Sequence, residues 1–160
     1  MPVHRRAARV ILLDPHDAVL LIRSHDPDRA DGPAWWHVPG GGLDPGEAPA
    51  DAAAREVAEE IGLRIADVGL CIATRTTHFT FLGTDYEQEE WYYVARLPGR
   101  VEVSDAGWSD VERRSTLGWR WWSLPALRMT DEIVYPGTLP ALISSWLEAG
   151  TPDQPHRLEP

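Results

Sequence analysis

The chain has 160 residues, 43% of them hydrophobic, a size that suits one domain with a buried core and leaves no room for a second. Its net charge of −10, from 25 acidic and 15 basic residues, argues against nonspecific binding along a nucleic-acid polymer, which relies on basic patches that neutralise phosphates. The single cysteine, Cys71, excludes an internal disulfide and points to the cytoplasm, and no apolar run is long enough for a signal peptide or a membrane span.

Residues 7–13 and 18–23 are aliphatic runs separated by Asp14-Pro15-His16-Asp17, the pattern of a strand, a tight turn and a strand. A polar loop follows over 24–33, and Trp35 to Val38 reads as a short strand. Next come Val38-Pro39-Gly40-Gly41-Gly42 and Asp44-Pro45-Gly46, where glycine lets a ligand approach the backbone closely. A helix is predicted from Pro49 to Ile61. Pro49 suits the first helical position, Asp51 complements the positive end of the dipole, and Gly62 suits a left-handed stop. Ala50, Ala53, Ala54, Val57 and Ile61 share an arc of about 100°, the face expected to lie against a sheet.

The neighbouring arc is acidic. Glu56, Glu59 and Glu60 stand at spacings of three and four, so their carboxylates crowd onto one stripe. Such pairs destabilise an exposed helix by about 0.2–0.5 kcal/mol each, and by more where water is excluded, so a bound cation is the expected offset. Oxygen-only ligands suit Mg²⁺, Mn²⁺ or Ca²⁺, and Mg²⁺ commonly combines carboxylates with waters and substrate phosphates. Arg55 stands beside the stripe, able to pair with Glu47 or to orient Glu56. Taken alone, the three glutamates also fit a solvated surface helix.

Beyond the helix, Ile65 to Ala73, Thr76 to Phe81 and Glu90 to Leu97 read as strands. Residues 99–116 are polar and irregular, Trp119 to Ser123 is a last strand, and Ala141 to Ala149 a closing helix. Residues 151–160, with three prolines, read as a loose tail, which leaves 1–150 as the domain. This order of elements implies an α/β layered fold with a mixed sheet.

Gly41, five residues, Glu47, seven residues, then Arg55-Glu56-Val57-x-Glu59-Glu60-x-Gly62-Leu63 resembles the Nudix box, the MutT-like signature, at all nine specified positions. The resemblance implies an α/β/α sandwich over residues 5–149. It further implies hydrolysis of a nucleoside diphosphate linked to another group, with Mg²⁺ or Mn²⁺ bound and water attacking a phosphorus of the pyrophosphate bridge. On the same resemblance Glu56, Glu59 and Glu60 are metal ligands, the Gly41 carbonyl adds another, and Glu56 or a later carboxylate accepts the water's proton. Glu112 and Glu90 both qualify as an acidic ligand from outside the box, with Glu112 preferred, although an exposed carboxylate is the commoner fate of either. Arg23 stands where the family often keeps a phosphate-binding cation, whereas Arg75 and Arg96 read as strand-edge charges. Most of the eight tryptophans are expected in the core, with Trp36 or its neighbour Trp35 left to face substrate. His37 and His78 receive no role.

Family marks of substrate choice lie downstream of the box: a proline fifteen residues on in many ADP-ribose hydrolases, a tyrosine seventeen on in many diadenosine-polyphosphate hydrolases. His78 and Thr80 occupy those positions here. The substrate therefore stays open among nucleoside triphosphates, nucleotide sugars and other small diphosphates, and homodimers are frequent in the family. Two further readings stand beside hydrolysis. One is a nucleotide-binding module that has lost its chemistry, for which an intact box is unusual. The other is a diphosphate isomerase, for which Cys71 is poorly placed.

Overall fold

In the computed structural model, which describes residues 1–160, the first aliphatic run becomes β1 (Val3–Leu13), the strand on which the rest is assembled. Ala8, Val10 and Leu12 are buried in one core and Ile11 and Leu13 in another, one on each face, as the period of two requires. β2 (Val19–Ser24) repeats the division, with Leu20 and Ile22 in the first core and Val19 and Leu21 in the second. Strands buried on both faces read as continuous aliphatic runs, which is how these two stand in the sequence.

Each face then needs a cover. α1 (Pro49–Ile61) covers the first through Ala52, Ala53, Val57 and Ile61, each 1% exposed or less. α3 (Leu124–Met129) and α4 (Leu139–Ala149) cover the second through Leu127, Leu139, Leu142 and Ile143. Full burial of a Val, Leu or Ile side chain stabilises by about 1.5–3 kcal/mol, so these few contacts are enough to hold each helix to the sheet. The outcome is the expected α/β/α sandwich. No helix is long and apolar enough to cross a membrane.

The remaining elements are β3 (Trp35–His37), β4 (Gly40–Gly42), β5 (Ala73–Phe81), β6 (Thr84–Arg96), α2 (Asp110–Ser115), β7 (Thr116–Trp122), β8 (Ile133–Tyr135) and β9 (His156–Arg157). The mixed sheet runs β8-β3-β2-β1-β6-β5-β9, with β4 on β1 and β7 on β2. β1 lies parallel to β6 along its whole length, from Val3↔Tyr86 to Leu13↔Arg96. β1 and β2 pair only beside their turn, at Leu13↔Val19, and then diverge as a fork. β3 joins β2 at Ile22–Ser24 and β4 joins β1 at Ala7–Arg9, so Val38 and Pro39 carry the chain across the fork. That crossing delivers the glycine run to α1.

The strand expected over 119–123 is not the last, since β8 and β9 follow β7, and three further expectations need correction. The strand expected over 65–73 does not form: Asp67 turns the chain by accepting from the Gly69 amide at 2.8 Å, and β5, which begins at Ala73, is the strand expected over 76–81. The 99–116 segment contains α2, whose start is a capping box: Ser109 accepts from the Glu112 amide and Glu112 accepts from the Ser109 amide. The C-terminal decapeptide is not loose, since β9 pairs with β5 at Ala73↔His156 and Thr74↔Arg157 and Leu158 packs on the second core.

Ile143, 1% exposed in α4, tests the second layer. Ile143→Ala is expected to lower the unfolding free energy in a urea titration by about 2–5 kcal/mol, and a loss under roughly 0.5 kcal/mol would contradict the docking of α4.

Candidate active site

α1 ends at Gly62, which adopts the left-handed conformation (φ 82°) and donates its amide to the Ala58 carbonyl. On the last turns the three glutamates meet different environments. Glu59 is exposed, Glu56 is half-buried and Glu60 is buried. Arg55 organises the nearer two. Its Nη1 donates to Glu56 at 2.9 Å and to Glu59 at 3.1 Å, while its Nε and Nη2 form a bidentate pair with Glu47 at 2.9 and 2.8 Å. Nη2 also donates to the Gly42 carbonyl at 2.9 Å, so one guanidinium ties the glycine loop to the helix. The hydrogen bonds from Arg55 hold the Glu47 carboxyl down at about 2, and in return raise the pKa of Arg55.

The glycine run approaches from β4. Gly41 pairs with Ala8, and a Cβ added there would overlap the Glu56 carboxylate, so only glycine allows backbone and carboxylate to meet. The neighbouring Gly40 amide donates to Glu60 at 3.2 Å, the one hydrogen bond that buried carboxylate receives. Burial pushes Glu60 up to about 8, against the pull of Arg9 and the Gly40 amide. Burial also raises Glu56, although Arg55 opposes it.

These carboxylates are not gathered round a common point, because Arg55 holds Glu56 and Glu59 while Glu60 turns to Gly40. The donor set nevertheless fits a hard divalent cation. It consists of oxygens alone, it includes a buried carboxylate short of positive partners, and a bare backbone lies against it.

Residues 101–115 wrap the end of α1. The Ser104 amide donates to the Ile61 carbonyl and the Trp108 indole to the Glu60 carbonyl, both at 2.7 Å, which satisfies carbonyls that a helix terminus leaves open. Gly107 lies against the Glu59 backbone. The wrap brings α2 alongside, and the charge of Glu112 adds to the upward pressure on both Glu56 and Glu60. The charge of Glu112 thus reaches the acidic turn, while its own carboxylate accepts from the Ser109 amide at 3.1 Å.

Glu90 is engaged elsewhere. It is 3% exposed and bound by Arg75 at 2.9 Å, by Gln88 at 2.7 Å and by the Tyr92 hydroxyl, with Arg9 Nε 3.8 Å away. Burial alone would raise Glu90; Arg9 and Arg75 outweigh it and leave its pKa below the usual value. Arg75 is correspondingly a buried partner and no strand-edge charge, while Arg96 pairs with Asp17 and lies over Trp146. Trp36 is also reassigned: it is 7% exposed, packs edge-on to Trp122 at 5.2 Å and donates to Glu132, so it belongs to the core. Trp36 and Trp122 alone among the eight tryptophans are buried, fewer than the sequence led us to expect. Arg23 is exposed, with no ion pair, 5.9 Å above the Trp36 ring. His37, desolvated and beside Arg9, is held at about 4 and so stays neutral, in contact with Ser24 at 2.8 Å.

Fold and site together define the class. The chain belongs to the Nudix hydrolase family, whose NUDIX domain profile matches residues 3–142. An RNA pyrophosphohydrolase of Gluconacetobacter diazotrophicus is 29% identical over 138 residues, covering 78% of this chain and 80% of the relative. The RNA pyrophosphohydrolase of Yersinia pestis is 30% identical over 103 residues, 54% of this chain, which spans about half of that relative's length, 54%. The crystal structure of a MutT protein from Methanosarcina mazei Go1 shares the fold with a TM-score of 0.63 at 16% identity, over 94% of this chain and 98% of that one.

Glu60 links the site to stability. Its carboxyl keeps its proton to about pH 8 in the folded state but loses it near 4.5 when unfolded, so metal-free stability falls as pH rises through that window. In thermal melts without metal, Glu60→Gln is expected to be the more stable protein at pH 8 and to match the parent below about pH 4.

Proposed function

We propose that this chain hydrolyses the pyrophosphate linkage of a nucleoside diphosphate joined to a further group, with a divalent cation held by α1. The observation that carries this reading is the meeting of the bare Gly41 backbone with the Glu56 carboxylate, on the same helical turn as Glu59 and Glu60. Glu56, Glu59, Glu60 and the Gly41 carbonyl would hold Mg²⁺ or Mn²⁺, which supplies charge stabilisation at phosphate oxygens and a more acidic attacking water.

The chain's own groups do the rest. For the carboxylates to turn inward, Arg55 must release Glu56 and Glu59 from Nη1, and its separate bonds to Glu47 and Gly42 keep loop and helix together meanwhile. The proton of the attacking water passes to Glu56 or Glu112; burial raises the proton affinity of Glu56, the direction a general base requires. Arg23, an exposed cation on a chain of net charge −10, offers the phosphates a local partner. A small nucleotide fits the charge balance better than a polymer does. The names of the Gluconacetobacter and Yersinia relatives favour a second reading, in which the pyrophosphate is removed from an RNA end.

A panel of nucleoside triphosphates, nucleotide sugars, dinucleoside polyphosphates and a 5′-triphosphorylated oligonucleotide, read by mass spectrometry, separates these readings. Turnover is expected with Mg²⁺ or Mn²⁺, lost on chelation and restored by either ion. Glu60→Gln is expected to lower the rate by at least about 10²-fold with unchanged circular dichroism, since it removes a ligand without changing shape. Affinity without product would identify a binding module instead.

A further inference from the structure

Arg9 was not among the residues singled out from the sequence, yet it stands where the fork between β1 and β2 is bridged. The Val38-Pro39 crossing is held from β1 at two points. The Val10 amide donates to the Pro39 carbonyl at 2.9 Å, and Arg9 Nη1 donates to the Val38 carbonyl at 3.3 Å. Arg9 lies in register with Gly40 on β4 and Tyr92 on β6, and its side chain is 15% exposed. A guanidinium so enclosed needs a counter-charge, and Glu90 provides it at 3.8 Å. Glu90 is anchored in turn by Arg75, Gln88 and Tyr92; Gln88 spends its amide N–H on this carboxylate and leaves its own oxygen without a protein partner.

The other end of the crossing reaches the α1 carboxylates. Two residues beyond Val38, the Gly40 amide donates to Glu60 at 3.2 Å, and the next residue, Gly41, meets Glu56. Contacts therefore run unbroken from Arg75 on β5, through Glu90 and Arg9, to the backbone facing the acidic turn.

We propose that Arg9 is a positioning residue: anchored by Glu90, it fixes the Val38 carbonyl and with it the Gly40-Gly41 backbone that the α1 carboxylates meet. Glu90 on this view serves Arg9 and is no metal ligand. The catalytic consequence rests on the hydrolase reading; the mechanical one does not. Lysine cannot substitute fully, because the two contacts use different nitrogens of a planar fork, Nη1 and Nε.

The test uses the full chain with Arg9→Met, Arg9→Lys, Glu90→Gln and the Arg9→Met/Glu90→Gln double variant. In metal-free protein, hydrogen exchange over residues 38–42 is expected to rise at least about tenfold in Arg9→Met, with α4 unchanged. With the best substrate of the panel, kcat is expected to fall at least about tenfold with KM within about threefold, Arg9→Lys falling between the two. Glu90→Gln is expected to act in the same direction, and the double variant to be no worse than Arg9→Met, because both cut one link. Faster exchange with unchanged kcat would reduce Arg9 to a structural brace and overturn the proposal, as would unchanged exchange or additive losses in the double variant. If Arg9→Met does not fold, Arg9→Lys decides alone, and parental exchange and kcat in it overturn the proposal. Absence of turnover by the parent on every substrate would instead sink the hydrolase reading, leaving exchange to judge the positioning role.

Discussion

Glu56 and Glu59 crowd the last turns of α1 and repel one another, and the guanidinium of Arg55 is what lets them stand side by side. It does so asymmetrically. One nitrogen spans Glu56 and Glu59, while the other side of the fork is committed to Glu47 and the Gly42 carbonyl. One guanidinium thus bonds three carboxylates, Glu47, Glu56 and Glu59, and the loop carbonyl of Gly42 at once. Glu60, out of its reach, remains buried with one amide for company, and its unusual proton affinity follows from that isolation.

A second constraint is geometric. β1 and β2 separate after one register pair, and the gap between them is where the glycine run has to pass. A sheet that stayed closed would have no place for backbone atoms to face a helix turn. The fork opens that place, and α1 closes over it because Ala52, Ala53, Val57 and Ile61 are seated in the core on the same face. Packing and the acidic stripe therefore occupy two sides of one helix.

Much of this could be read in the sequence, and the reasons are local. α1 matched its predicted limits because Pro49, Asp51 and Gly62 mark both ends, and β1 and β2 announced themselves by aliphatic runs around a turn. What stayed hidden depends on partners far along the chain. Nothing near Glu90 says that Arg75 and Arg9 enclose it, since fifteen and eighty-one residues separate them from it. Trp36 carries no local sign that Trp122 waits for it across the sheet. α2 was the exception: Ser109 and Glu112 stand at capping-box spacing, a signal present in the sequence and overlooked amid polar residues.

The charge of Glu112 is brought near the acidic turn by a different route from the other carboxylates, on a six-residue helix that follows the wrap of residues 101–109 on the end of α1. Three acids ride on a rigid spar bolted to the sheet; the fourth rides on a strap. Insertions or deletions in the strap would move that one acid while the spar stayed as it is, since connecting segments tolerate such changes better than the elements they join.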